Sequence, residues 1–174
     1  MARLRKFCAY RTVERPYTRI SKYRKKSYIR ANPNIKIVRF DMGASTKEFE
    51  YDLDLQVKTK TQIRQNAIES GRQTSNRVLE KNMGKSDFHF KIRIYPFHIL
   101  RENPLAAGAG ADRMSTGMKK SFGKAIGMAA QVKKDQTIAT IRLNKANLKF
   151  GKDALRRFAS KMPVGCRTVV HEAK

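Results

Sequence analysis

Asp52 and Asp54 stand two residues apart in Tyr51-Asp52-Leu53-Asp54-Leu55-Gln56-Val57-Lys58. In a strand that spacing puts two carboxylates on one face, where a general acid and a general base could share a substrate. The alternation explains them more simply. Tyr51, Leu53, Leu55 and Val57 form the apolar face, so the aspartates belong to the solvent face. Gly84-Lys85-Ser86 resembles the end of a phosphate-cradling loop, but that motif needs a further glycine at position 79, which is Leu79. His89, His98 and His171 show no metal-ligand spacing with one another or with Cys8 and Cys166. No Ser/His/Asp or Cys/His set assembles. The expectation is a protein that is not an enzyme and needs no cofactor or metal.

Cations are the chemistry the chain does carry. There are 39 Lys and Arg against 14 Asp and Glu, a net charge of +25 over 174 residues. Such a surplus repels itself unless the protein lies against a polyanion. Residues 1–30 hold 11 basic residues and the single acid Glu14. The basic set is Arg3, Arg5, Lys6, Arg11, Arg15, Arg19, Lys22, Arg24, Lys25, Lys26 and Arg30. Phe7, Tyr10, Tyr17, Tyr23 and Tyr28 are interleaved with it. Arginine pairs bidentately with phosphate, and tyrosine stacks on an unpaired base. These cations and Tyr17 are candidate RNA contacts. The plainer alternative is a solvated tail whose aromatics tuck against the core.

A second candidate lies at Gly108-Ala109-Gly110-Ala111-Asp112-Arg113-Met114-Ser115-Thr116-Gly117-Met118, followed by Lys119, Lys120 and Lys124. Small residues let one backbone approach another closely, and the adjoining cations can hold phosphates. Residues 101–117 read as one long loop, and loops of that length are usually functional.

The elements that must position these groups follow from periodicity. Residues 35–40 read as a strand, as do 51–58. Ile63, Ala67, Ile68, Val78 and Leu79 predict a helix over 60–82, capped by Thr59 or Thr61, with Gly71 weakening its middle. Phe88, Phe90, Ile92 and Ile94 alternate with polar residues as a strand ended by Pro96. A short helical turn follows near 118–123. Residues 128–132 and 137–143 read as a hairpin about Lys133–Gln136. Leu155, Phe158, Ala159 and Met162 predict a helix stopped by Pro163, and 166–171 a last strand. The order predicts an α+β fold, a two-layer α/β sandwich with helices packed on a mainly antiparallel sheet. The division expected is a basic arm over 1–34 and one domain over 35–174.

Composition bounds the class. A hydrophobic fraction of 40% allows a packed core. No apolar run nears the roughly 20 residues that span a bilayer, and no basic amphipathic helix points to a membrane surface. Cys8 and Cys166, with no Cys-x-x-Cys partner, read as reduced thiols of a cytosolic protein. The Arg-rich opening has the composition of an organellar presequence, but Pro16 and five aromatics interrupt it, so it reads as mature protein.

Several ordered motifs together resemble one family. They are Arg15-Pro16-Tyr17, Tyr95-Pro96-Phe97-His98, Ala109-Gly110-Ala111-Asp112-Arg113 with Thr116-Gly117-Met118, Phe122-Gly123-Lys124, and Ala154-Leu155-Arg156-Arg157. Over nearly the whole chain the sequence is similar to the universal large-subunit ribosomal protein sixteen family, in its archaeal and eukaryotic ten-e branch. The chain ends at Lys174 without the longer extension of eukaryotic members, so an archaeal source is expected. The resemblance implies a structural, non-catalytic constituent of the large subunit in the cytoplasm. Its implied partners are large-subunit rRNA near the central protuberance, neighbouring ribosomal proteins, and tRNA near its acceptor end. It implies no membrane and no obligate homo-oligomer. The loop 101–117 would point toward the tRNA, with Gly108, Gly110, Ala111, Asp112, Arg113, Met114, Ser115, Thr116 and Gly117 at its tip. Two other classes stand beside this reading: a free-standing RNA chaperone or architectural nucleic-acid-binding protein, which would bind short duplexes well alone, and an RNA-modifying enzyme, which would need the acid/base pair or cofactor loop not found above.

Overall fold

Leu53, Leu55 and Val57 are fully buried and alternate with half-buried Asp52, Asp54 and Gln56, so the chain extends there as β2, Tyr51–Val57. In the computed structural model, which describes residues 4–18, 23, 25, 33–104, 119 and 121–173, seven further strands surround it. They are β1 (Asp41–Gly43), β3 (Thr61–Arg64), β4 (Phe88–Ile92), β5 (His98–Glu102), β6 (Lys124–Val132), β7 (Thr137–Leu143) and β8 (Cys166–Glu172). The helices are α1 (Gln65–Asn82) and α2 (Leu148–Ala159), with short 3-10 turns at Phe7–Tyr10 and Lys145–Asn147. The fold is α+β, as the sequence predicts. Its antiparallel strands form two sheets, of order β1-β4-β7-β2-β8 and β3-β6-β5.

The helices meet across small side chains. Ser75 of α1 donates to the Ala154 carbonyl of α2 at 2.8 Å, fully buried. Gly71 lets the Phe158 ring lie where a Cβ would sit 3.0 Å from it. Gly71 therefore does not weaken the helix for nothing; it admits the helix crossing. Phe158 meets Phe90 of β4 edge-on at 6.1 Å, and Gly151 of α2 sits against Leu143 and Leu53. Ile63, Ala130 and Val132 carry the same core onto the smaller sheet.

Several expectations need correction. Residues 35–40 are extended but not a strand, because their donors bond to helix side chains. Lys36 N–H donates to Gln65 Oε1 and Val38 N–H to Glu69 Oε2. Only the Phe40 carbonyl, accepting from Ile92 N–H, joins a strand. The helix over 60–82 loses its first turn to β3, where Thr61, Gln62 and Ile63 are all buried against β6. Its N-cap is Arg64, with no side-chain cap, and neither threonine serves. The hairpin about 133–136 is absent. β6 and β7 lie in different sheets, and Asp135, at φ +61°, turns the chain between them. That turn is bonded to the end of β2: Asp135 N–H donates to the Val57 carbonyl and Val57 N–H to the Gln136 carbonyl. The strand after the first helix ends at Ile92. Of the turn expected near 118–123, Lys119 is in a 3-10 turn while Ser121–Gly123 are irregular. The last helix starts at Leu148 and ends at Ala159, short of Met162. β5 claims Arg101 and Glu102 from the expected loop, pairing them with Ala125 and Lys124.

Candidate nucleic-acid interface

Two cross-strand glutamines begin the site. Gln62 of β3 faces Gln131 of β6 on the side of the small sheet turned away from the core. Alternation dictates this, since Ile63 and Ala130 point inward. Gln62 Nε2 donates to the carbonyls of Tyr10 and Thr12, and Gln131 Nε2 to the carbonyl of Glu14 at 3.0 Å. The three acceptors recur every second residue, the period of an extended chain. The N-terminal segment is thus laid along the small sheet by neutral hydrogen bonds.

The segment also covers the free edge of β5. Ile99 N–H donates to the Tyr17 carbonyl at 3.2 Å, and Tyr17 N–H donates to His98 Nδ1 at 3.0 Å. An uncovered edge strand would offer its donors to any passing chain. His98 accepts at Nδ1, so this nitrogen carries no proton. Burial pushes the His98 pKa below its ordinary value, with Glu14 opposing and Arg101 reinforcing the shift. At the other end, Arg64 Nη1 donates to the Arg5 carbonyl at 2.7 Å, and Leu4 lies over Gly127.

The same contacts fix the base of the long β5–β6 connection. Arg5 Nε donates to Glu102 Oε1 at 2.6 Å. The Arg101 guanidinium lies 4.6 Å from the Tyr17 ring and 4.3 Å from the Phe122 ring, which meet each other edge-on at 5.9 Å. Arginine between two rings is a cation–π arrangement. Gly123 faces the Glu102 backbone so closely that a Cβ would lie 2.9 Å from it.

Of the residues singled out in the sequence, Arg5, Lys6, Arg11, Arg15, Lys25, Lys119 and Lys124 are exposed, and Tyr17 is half-buried. The structure brings Arg5 and Tyr17 together at the loop base. Arg3, Arg19, Lys22, Arg24, Lys26, Arg30 and Lys120 lie outside the described residues, as does the loop tip from Gly108 to Gly117 with Arg113. Gln62, Gln131, Arg64 and Arg101 escaped sequence reasoning, and His98 and Phe122 stood in motifs that did not disclose these roles. The roles come from pairings between distant segments.

The other candidates find structural partners. Asp52 lies opposite Arg142 at 3.2 Å, close enough for an ion pair though not aligned as a hydrogen bond. Asp54 accepts from Thr140 Oγ1 at 2.6 Å, which in turn accepts from Arg93. His89 pairs with Asp41 at 3.2 Å. Cys8 and Cys166 are free. Among the described residues no cluster of His, Cys, Asp and Glu could hold a metal, and no helix is long and apolar enough to cross a membrane.

A cationic segment docked on a mixed α/β body, at the base of the β5–β6 connection, is the architecture of a protein suited to a polyanion. The chain belongs to the family described as ribosomal protein L16p/L10e, whose pattern it matches over residues 18–169. It is 46% identical over 171 residues to large ribosomal subunit protein uL16 of Methanococcus maripaludis strain C5, covering 98% of this chain and 96% of that one. The proteins of the same name from strains C7 and C6 are each 47% identical over 167 residues, covering 96% and 94%.

Proposed function

We propose that this chain is a structural constituent of the large ribosomal subunit, acting in the cytoplasm by binding rRNA beside neighbouring ribosomal proteins. Family membership carries the reading, and the charge gives it a mechanism. Lys6, Arg11 and Arg15 stand exposed on the docked segment, and no described acid pairs with them. They neutralise phosphates, with Arg3, Arg19, Lys22, Arg24, Lys26 and Arg30 extending the anchor. The long loop and its Arg113 reach toward the tRNA acceptor end beside the central protuberance, fitting by shape and close backbone approach rather than by reading bases.

The test has two arms. Wild-type protein should sediment in stoichiometric amounts with large subunits and leave them steeply as salt rises, since each neutralised phosphate adds close to one unit to the log–log salt slope. Subunits carrying Arg113→Ala should hold the protein normally yet bind tRNA more weakly. Failure to sediment with subunits would sink the whole reading. Normal tRNA binding by Arg113→Ala subunits would sink the loop assignment alone.

A further inference from the structure

Three aromatic rings form a column on the surface, outside the interface described above. Phe40 and Tyr95 stack with centroids 4.1 Å apart and planes 14° from parallel; Tyr95 and Phe97 follow at 5.7 Å and 21°. Phe97 N–H donates to the Tyr95 carbonyl at 3.0 Å. This is a tight turn centred on Pro96, whose fixed φ suits it. The turn holds the two rings on the same side of the chain. Exposure grows along the column: Phe40 is half-buried, Tyr95 is 47% exposed and Phe97 is 67% exposed. Core packing does not require this, because a buried phenylalanine would lie among the core residues, as Phe88 and Phe90 do.

An aromatic column with an open end invites another flat ring. The setting decides which kind. Lys36 and Arg39, in the segment that delivers Phe40, are exposed and have no described acid paired with them. Lysine is depleted from protein–protein interfaces, although arginine is not. A flat apolar ring open at one end, in a chain of net charge +25, suits a nucleotide, whose base stacks while its phosphate is drawn to the surrounding positive charge.

We infer that Phe97, backed by Tyr95 and Phe40, is a stacking platform for one unpaired base of large-subunit rRNA. This rests on the rRNA-binding reading and adds a site to it. The platform selects single-stranded RNA, because both faces of a base inside a helix are already stacked on its neighbours. It reads no sequence, because every base has a π-face.

The experiment uses the full chain and deproteinised large-subunit rRNA, with affinity measured at fixed salt. Phe97→Leu keeps an apolar side chain and removes the ring, and should weaken binding about tenfold, within the range for one stacked base. Phe97→Tyr keeps the ring and should bind like wild type. Tyr95→Leu, which removes the middle of the column, should behave like Phe97→Leu. Both sites are exposed enough that thermal unfolding of the three variants should stay unchanged, separating lost stacking from lost fold. Ultraviolet cross-linking in intact subunits should join the peptide containing Phe97 to a nucleotide. If wild type binds the rRNA and Phe97→Leu binds equally well, the platform is refuted while the rRNA reading stands. If wild type does not bind the rRNA, both fall. A cross-link from this patch to a neighbouring protein, with no nucleotide adduct, overturns the platform in favour of a protein contact.

Discussion

Gln62 carries the docking of the N-terminal segment, and replacing it should release that segment without unfolding the body. Its side chain is 3% exposed and donates to two carbonyls, while its own Oε1 has no hydrogen-bond partner. Only the donor end therefore matters. Gln62→Met keeps the length and removes the donor, leaving the Tyr10 and Thr12 carbonyls unpaired. At about 0.5–1.5 kcal/mol per hydrogen bond, the loss comes to about 1–3 kcal/mol. A factor of ten corresponds to about 1.4 kcal/mol, so the docked state weakens by roughly 5- to 150-fold. Gln62→Glu should be worse, because a buried carboxylate would face two carbonyl oxygens with no donor between them.

Amide hydrogen exchange reads this directly. The Ile99 amide is bonded to the Tyr17 carbonyl, and the Tyr17 amide to His98. Both should exchange faster by the same factor that the docking equilibrium loses. Amides in the ladder between β2 and β7 should not change, since among the described residues that sheet shares no hydrogen bond with the segment. The order expected is wild type slowest, then Gln62→Met, then Gln62→Glu. Unchanged protection at Ile99 and Tyr17 in Gln62→Glu would refute the clamp. Equal acceleration throughout the core would show that Gln62 supports the whole fold rather than the segment.

Acid should undock the same segment through His98. Its pKa is lowered in the docked state from an ordinary 6.5, so the undocked form binds the proton more tightly. Docking is then complete above about pH 6.5 and weakens as pH falls through the depressed value, which the Tyr17 amide chemical shift should follow; His98→Gln, which keeps an acceptor, should remove the pH dependence. Gly151→Ala sets two effects against each other. Alanine gains about 1 kcal/mol in a helix interior, but its Cβ would overlap Leu143 Cδ2 and lie 3.1 Å from Leu53 Cδ2, both fully buried. Overpacking costs about 1–3 kcal/mol, so the melting temperature should fall by a few degrees; a rise would show that the core yields more easily than its burial implies.

Legibility in the sequence followed the range of the forces. β2 and β4 are visible because apolar residues alternate with polar ones along each, although His89 of β4 is buried too, and most of α1 because Ile68, Val78 and Leu79 share one helix face. Residues 35–39 misled because an extended, β-branched segment has the same composition whether its N–H groups reach a strand or the side chains of Gln65 and Glu69. The split into two sheets was invisible for a related reason. The residues from 128 to 143 look like a hairpin locally, and only the bonds from Asp135 and Gln136 to Val57 reveal that the turn serves a third strand. The family motifs were legible as a pattern, yet they did not disclose that Tyr95 and Phe97 face the same way. That depends on the turn at Pro96 and on Phe40, more than fifty residues earlier.

The manner of docking explains how so basic a segment can belong to the fold and still serve a polyanion. Binding it with acids would have been the direct electrostatic solution, but every acid so used would neutralise a cation meant for phosphate. The chain instead holds the segment mostly through its backbone. Gln62, Gln131 and the Ile99 amide all bond to carbonyls, and none engages a cation. Among the described residues of the segment, only Arg5 is paired with an acid, Glu102. Neutral hydrogen bonds are also little affected by salt, whereas phosphate contacts weaken steeply with it. On the proposed reading, Lys6, Arg11 and Arg15 are thus displayed on an ordered backbone before RNA arrives, so less conformational entropy is lost on binding than for a free tail. The tail and the scaffold that composition suggests as separate parts are joined by two glutamines on adjacent strands.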